Sequence, residues 1–116
     1  MIIPETVNRP DPWESRVAIA AALEKMAPLL SVDMIAPIFD FLIKQETLGD
    51  RHSAVRSAML NAAIKIIDLH GGLTVTSLMK MFEDHLAANL PASETNDYIK
   101  EAVVIVGRDV SILVNR

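Results

Sequence analysis

Residues 49–70 read GDRHSAVRSAMLNAAIKIIDLH, and the fold follows from this stretch. Val55, Ala58, Met59, Ala62, Ala63, Ile66 and Ile67 recur at three- and four-residue intervals, which places them on one face of an α-helix. Leu60 and Ile64 add a second apolar flank, so the helix must be covered from two sides. Asp50 opens it, and Gly71-Gly72 is expected to end it near residue 69.

The same period extends outward. Upstream, Ser31 caps a helix of about residues 32–45, with Ile35, Phe39, Leu42 and Ile43 inward and Asp33, Asp40 and Lys44 outward. Before it, Asp11-Pro12-Trp13-Glu14 supplies an N-cap carboxylate, a proline at the first helical position and a glutamate able to reach back; this helix ends at Met26, ahead of Pro28. Downstream, a helix of about residues 74–88 turns Val75, Leu78, Met79, Phe82 and Leu86 inward. A last helix from about Thr95 buries Ile99, Ala102, Val103, Val106 and Val110, with Gly107 a weak point inside it. Residues 1–10 hold Pro4 and Pro10, lack a helical period and read as an extended lead-in; 11–116 are the folded segment. The expectation is an all-α chain of five helices.

Composition narrows the function. At 116 residues there is room for one domain, and a 51% hydrophobic content excludes intrinsic disorder. Five aromatics against many Ala, Ile, Leu, Val and Met favour packed helices over strands. Net charge −4 lacks the basic excess of a DNA- or RNA-binding surface. The absence of Cys removes disulfides, thiolate metal sites and a Cys nucleophile, and fits the cytoplasm. No apolar run suits a secretory leader or a membrane span.

An internal repeat is the most informative pattern. Arg16-Val17-Ala18, Arg56-Ser57-Ala58 and Lys100-Glu101-Ala102 align at separations of 40 and 44 residues, the period of HEAT-like helix pairs. Asp50 and Glu94 each stand six residues before the basic position, and Phe39-Asp40 aligns with Phe82-Glu83. Pro37 occupies the place of a first-helix proline in such repeats. In stacked pairs, acids at helix starts and basic residues two turns in can bond across neighbours, so Asp50, Arg56, Glu94 and Lys100 read as a structural ladder and not as catalytic groups. The first helix is Ala-rich nearly all round and shows no polar cap, as in about two and a half pairs of a longer array.

With these strings in hand, a resemblance emerges. DPWESR (11–16), PIFDFLI (37–43), LGDRHSAVRSAMLNAAIKIIDLHG (48–71), MFEDHL (81–86) and IKEAVVIVGR (99–108) closely resemble consecutive HEAT repeats of the general control non-derepressible family of translational activators. The resemblance covers about residues 11–108, in or next to the region similar to the HEAT domain of fungal elongation factor 3. It implies a scaffold bound along ribosomes, associated with an ABC-type ATPase, and part of an assembly that activates the initiation factor 2 alpha kinase under starvation. Against the family pattern, Lys80 replaces the first-helix proline, His85 stands where an aromatic is usual, and 109–116 diverge.

Sites of chemistry are weakly signalled. His52, His70 and His85 share no i, i+4 relation and have no clustered carboxylates, so no metal site or cofactor is expected. HGGLTVTS (70–77) lacks the Lys-Ser/Thr end of a phosphate loop, and no nucleophile elbow is present. Glu83 and Asp84 are adjacent on a solvated face, and the methionines sit at core spacing. Arg51 and His52, in an inter-helix loop, are candidate partner contacts, and Trp13, next to the start of the first helix, reads as packing over the end of the preceding repeat before it reads as a partner anchor. The acidic balance suits ribosomal protein better than ribosomal RNA. The competing reading is a small stand-alone helical module that dimerises through its spare apolar face.

Overall fold

The apolar stripes become helix faces, and no strand occurs among the described residues. The structure, a computed structural model, describes residues 11–45 and 47–114. Helix α1 is Trp13–Met26, followed by a 3-10 turn, Ala27–Leu29. Helix α2 is Val32–Lys44, α3 is Ser53–Ala87 and α4 is Glu94–Val114. The expected lead-in at 1–10 lies outside the described residues.

The helical backbone of α3 continues through Gly71-Gly72, where the sequence predicts a stop. The expected reversal is nevertheless there. A straight 35-residue helix would be about 52 Å long. Yet Arg56, near its start, stacks on Tyr98 of α4, and the connection 88–93 spans at most about 25 Å. Only a fold-back lets Ala87 reach Glu94. The contacts place the bend at the glycine pair, dividing α3 into an outgoing limb and a returning limb. Neither glycine takes a positive φ, so this is not a left-handed helix cap. Gly71 serves close packing instead: a Cβ there would lie 3.1 Å from Ile67 and 3.2 Å from Leu113. Thr74 Oγ1 donates to the His70 carbonyl across the bend.

Two layers result. α1, the outgoing limb and α4 run parallel: Arg16 meets Asp50 at one end of α1 and Ala27 meets His70 at the other, while Tyr98 lies over Arg56 and Leu113 over Gly71. α2 and the returning limb form the second layer, parallel to each other and antiparallel to the first. Phe39 and Phe82, which occupy equivalent positions of the sequence repeat, meet edge to face at 5.7 Å between them. Phe82 also lies against Gly107 of α4. With the two limbs of α3 counted separately, the five expected helices are all present.

Most of the core comes from the predicted stripes, with Ala58 only half-buried and the side chain of Val75 outside the described residues. Ile35, Phe39, Leu42 and Ile43 of α2, Val55, Met59, Ala62, Ala63, Ile66, Ile67, Leu78 and Phe82 of α3, and Ile99, Ala102, Val103, Val106 and Val110 of α4 are all buried. Leu86, expected inward, is 41% exposed because the returning limb is ending there. Met59 is buried and Met79 half-buried, whereas Met26 and Met34 are exposed. In α1 only Ala20 is buried, as befits a helix at the end of a stack.

Capping departs from expectation. Pro12, not Asp11, takes the N-cap position of α1, with no side-chain cap. The Asp11 carboxylate turns instead to the guanidiniums of Arg16 and Arg51, stronger partners than a backbone N–H. Ser31 holds α2 through its carbonyl, which accepts from Met34 N. His52, not Asp50, caps α3.

Candidate functional site

The parallel layer brings the starts of α1, α3 and α4 to one edge, and the loop residues 47–52 shape it. Thr47 Oγ1 and the Leu48 amide both donate to the Leu42 carbonyl, and Leu48 is buried, which pins the loop to α2. Gly49 then passes so close to α4 that a Cβ would stand 2.6 Å from the Thr95 carbonyl oxygen and 2.7 Å from Ile99. This approach sets the position of Asp50, Arg51 and His52.

Asp50 is the hub. Its carboxylate accepts from Arg16 Nε at 2.7 Å and Nη2 at 3.0 Å, and from the His52 amide at 2.9 Å. Arg16 also reaches Asp11 at 2.8 Å and 3.1 Å, and Arg51 lies 3.0 Å from Asp11. Hydrogen bonds from Arg16 and then Arg51 hold the Asp11 carboxyl well below the usual carboxylate range. At Asp50, burial pushes the carboxyl up, but the Arg16 hydrogen bond and the His52 amide outweigh it and leave the group lowered. Asp11 and then Asp50 keep the Arg16 guanidinium charged far above neutrality.

The three predicted contact residues converge here. Trp13 stacks on His52 with ring centroids 4.2 Å apart and planes within 10°. His52 Nδ1 accepts from the Ala54 amide, so the cap fixes the orientation of the half-buried imidazole against Trp13. Arg51 is largely exposed above Asp11. Of the ladder residues, Asp50 and Arg56 come together through the backbone: Arg56 Nη1 donates to the carbonyls of Asp50 at 2.8 Å and Arg51 at 3.2 Å. The Arg56 guanidinium lies 3.8 Å above the centre of the Tyr98 ring, a cation–π contact. Among the described residues, neither Glu94 nor Lys100 forms an ion pair. Arg16, Asp11 and Tyr98 were not singled out from the sequence as site residues. The register of Arg16 with Arg56 was the available signal for the first.

The other histidines are spent differently. The His70 ring meets the Ala27 carbonyl at 2.6 Å, tying the bend of α3 to the end of α1. Burial, and next the Lys100 charge, lowers the pKa of His85, whose Nε2 is buried without a hydrogen-bond partner among the described residues. Among the described residues the acidic and histidine side chains form no group that could hold a metal ion. No described helix is long and apolar enough to cross a membrane.

Stacked antiparallel helix pairs with a sequence period of 40 and 44 residues define the class: a HEAT-type α-solenoid segment. The profile of a family described as the HEAT repeats of the stalled ribosome sensor GCN1 matches residues 1–108, and the chain belongs to that family. The human protein named stalled ribosome sensor GCN1 is 37% identical over 97 residues, 84% of this chain and 4% of its own length. Protein ILITYHIA of Arabidopsis thaliana is 38% identical over 93 residues, 80% of this chain and 3% of its own. The Saccharomyces cerevisiae eIF-2-alpha kinase activator GCN1 is 32% identical over 108 residues, 91% of this chain and 4% of its own. The chain thus spans only a few hundredths of the length of these relatives. No solved structure matches.

Proposed function

We propose that residues 11–116 are a non-enzymatic scaffold stretch of a cytoplasmic, ribosome-associated translational activator, one that promotes activation of the initiation factor 2 alpha kinase when ribosomes stall or amino acids are scarce. The observation that carries this reading is the family match across residues 1–108, joined to relatives named as a stalled ribosome sensor and as an eIF-2-alpha kinase activator. The site chemistry agrees with it: the charged side chains at the edge brace one helix against the next. A solenoid binds through such edges and loops, because its backbone is satisfied within each helix and its variable positions face outward.

On this reading the Trp13–His52 stack, itself packed on the core, and the exposed Arg51 beside it form the contact edge, suited to ribosomal protein more than to RNA given the net charge of −4. The ABC-type ATPase and the kinase are partners of the whole assembly. Pelleting the purified chain with purified ribosomes through a sucrose cushion tests the proposal. Ribosome-dependent pelleting, lowered several-fold by Arg51→Glu with helical content unchanged, supports it. A chain that stays in the supernatant at every ribosome concentration contradicts it.

A further inference from the structure

Arg16 and Arg56 hold equivalent positions of the repeat, yet their partners differ. Two carboxylates, Asp11 and Asp50, neutralise Arg16. Glu94, the counterpart of Asp50 one repeat on, forms no ion pair among the described residues, and neither does Arg56. The Arg56 guanidinium is held in place all the same, by the two carbonyls that accept from Nη1 and by the Tyr98 ring beneath it. Its Nε and Nη2 find no acceptor among the described residues. Beside it a cleft of about 240 Å³ runs between the outgoing limb and α4, walled by Ser57, Leu60, Tyr98, Glu101 and Ile105. Leu48 and Ala102, both buried, complete the lining, and Ser57 and Glu101 are exposed. Both walls are neighbouring helices inside the chain, so further repeats stacked at either end leave this cleft open.

We infer that this cleft is a docking site for a segment of a partner protein that carries a single carboxylate between aliphatic side chains. Charge argues for that occupant. Nε and Nη2, the donors left over on Arg56, are the same two with which Arg16 grips both oxygens of Asp50, so a carboxylate from outside meets a fork already set in place. Leu48, Leu60 and Ile105 offer apolar surface to the neighbours of the acid. Glu101, on the facing wall, limits the charge that can enter. A run of acids or a phosphodiester backbone would set a second anion against it, whereas one carboxylate is drawn to Arg56. The net charge of −4 acts in the same direction, against RNA. The site needs no ribosome and goes beyond the scaffold reading.

The test titrates the isotope-labelled chain with the peptide acetyl-Gly-Leu-Glu-Leu-Gly-amide and with its Gln counterpart, and follows the Arg56 Nε–H and the backbone amides of Ser57 and Ile105 by NMR. The Glu peptide is expected to move these signals in a saturable way and to bind about tenfold more tightly than the Gln peptide. Arg56 also braces the loop, so the variants are made at exposed positions that leave the fold intact. Ser57→Glu should weaken binding of the Glu peptide about tenfold, and Glu101→Gln should strengthen it several-fold, with the remaining amide spectrum unchanged. Equal binding of the two peptides, indifference to both substitutions, or no response at Arg56 overturns the inference. So does a short oligouridylate that moves the same signals more strongly than the Glu peptide, which would give the cleft to RNA. Ribosome pelleting is scored separately, so a failed cleft and a failed scaffold role are told apart.

Discussion

Arg16 of α1 and Asp50 at the start of α3 are 34 residues apart in sequence and joined by two hydrogen bonds, from Nε to Oδ2 at 2.7 Å and from Nη2 to Oδ1 at 3.0 Å. The planar guanidinium spans both carboxylate oxygens and still reaches Asp11, which a lysine ammonium could not do. One side chain thereby fixes the register of two neighbouring helices and the loop between α2 and α3.

Removing either partner should therefore have the same consequence. Arg16→Ala and Asp50→Asn are each expected to lower the urea midpoint, and the double variant should unfold close to the weaker single variant instead of at the sum of the two losses. Equilibrium unfolding of the four proteins measures this. Additive losses would show that the two residues act independently.

Acid should weaken the same network. Asp11 and Asp50 titrate lower in the fold than their ordinary value of 3.8, so their contribution is complete above that pH and is lost as pH falls toward the folded values. The urea midpoint is expected to drop below about pH 4, and Asp50→Asn should flatten the drop. A drop of the same depth in that variant would assign it to other carboxylates.

His85 predicts a gain. Its buried Nε2 lacks a partner, and its pKa is lowered from 6.5, so the neutral ring is the form that suits the fold. Stability from this group is present above pH 6.5 and declines as pH falls through the folded value. His85→Phe should stabilise the chain by about 1 kcal/mol and remove that decline, as read by thermal melts at pH 7.5 and pH 5.5. A lower melting temperature at both would mean that the imidazole makes a needed contact.

Two glycines should respond in opposite directions. Gly49→Ala places a methyl 2.6 Å from the Thr95 carbonyl, where backbone must shift, and is expected to cost about 1–3 kcal/mol. Gly107→Ala meets only Phe82 at 3.7 Å, an ordinary contact inside a helix, and should add about 0.5–1 kcal/mol. Denaturant midpoints decide both, and a neutral Gly49→Ala would show that the loop is free to move away from α4.

These pairs also mark what could be read in advance. Helix faces were legible because burial follows a 3.6-residue period, as the stripe from Val55 to Ile67 shows. The meeting of Phe39 with Phe82 was signalled by their equivalent places in the repeat. The bend at Gly71-Gly72 was readable as a change of direction, but its mechanism was not, because close packing against Leu113 depends on α4, far along the chain. The same holds for the edge. Asp11 looked like a cap from its neighbours alone, and only the stacking of α1 on α3 brought two guanidiniums within reach of it. The sequence offers Trp13 and His52 only as separate candidate contacts; that they stack on each other depends on the same docking.

The central claim is that this chain works as a ribosome-bound scaffold stretch, and fractionating a lysate of the source cells on a sucrose gradient tests it most directly. Each fraction is blotted with an antibody raised against residues 11–116. The account predicts that the antibody signal follows the ribosomal fractions and moves to lighter fractions when the ribosomes are dissociated. Signal confined to the top of the gradient, with ribosomes intact below it, would contradict the account.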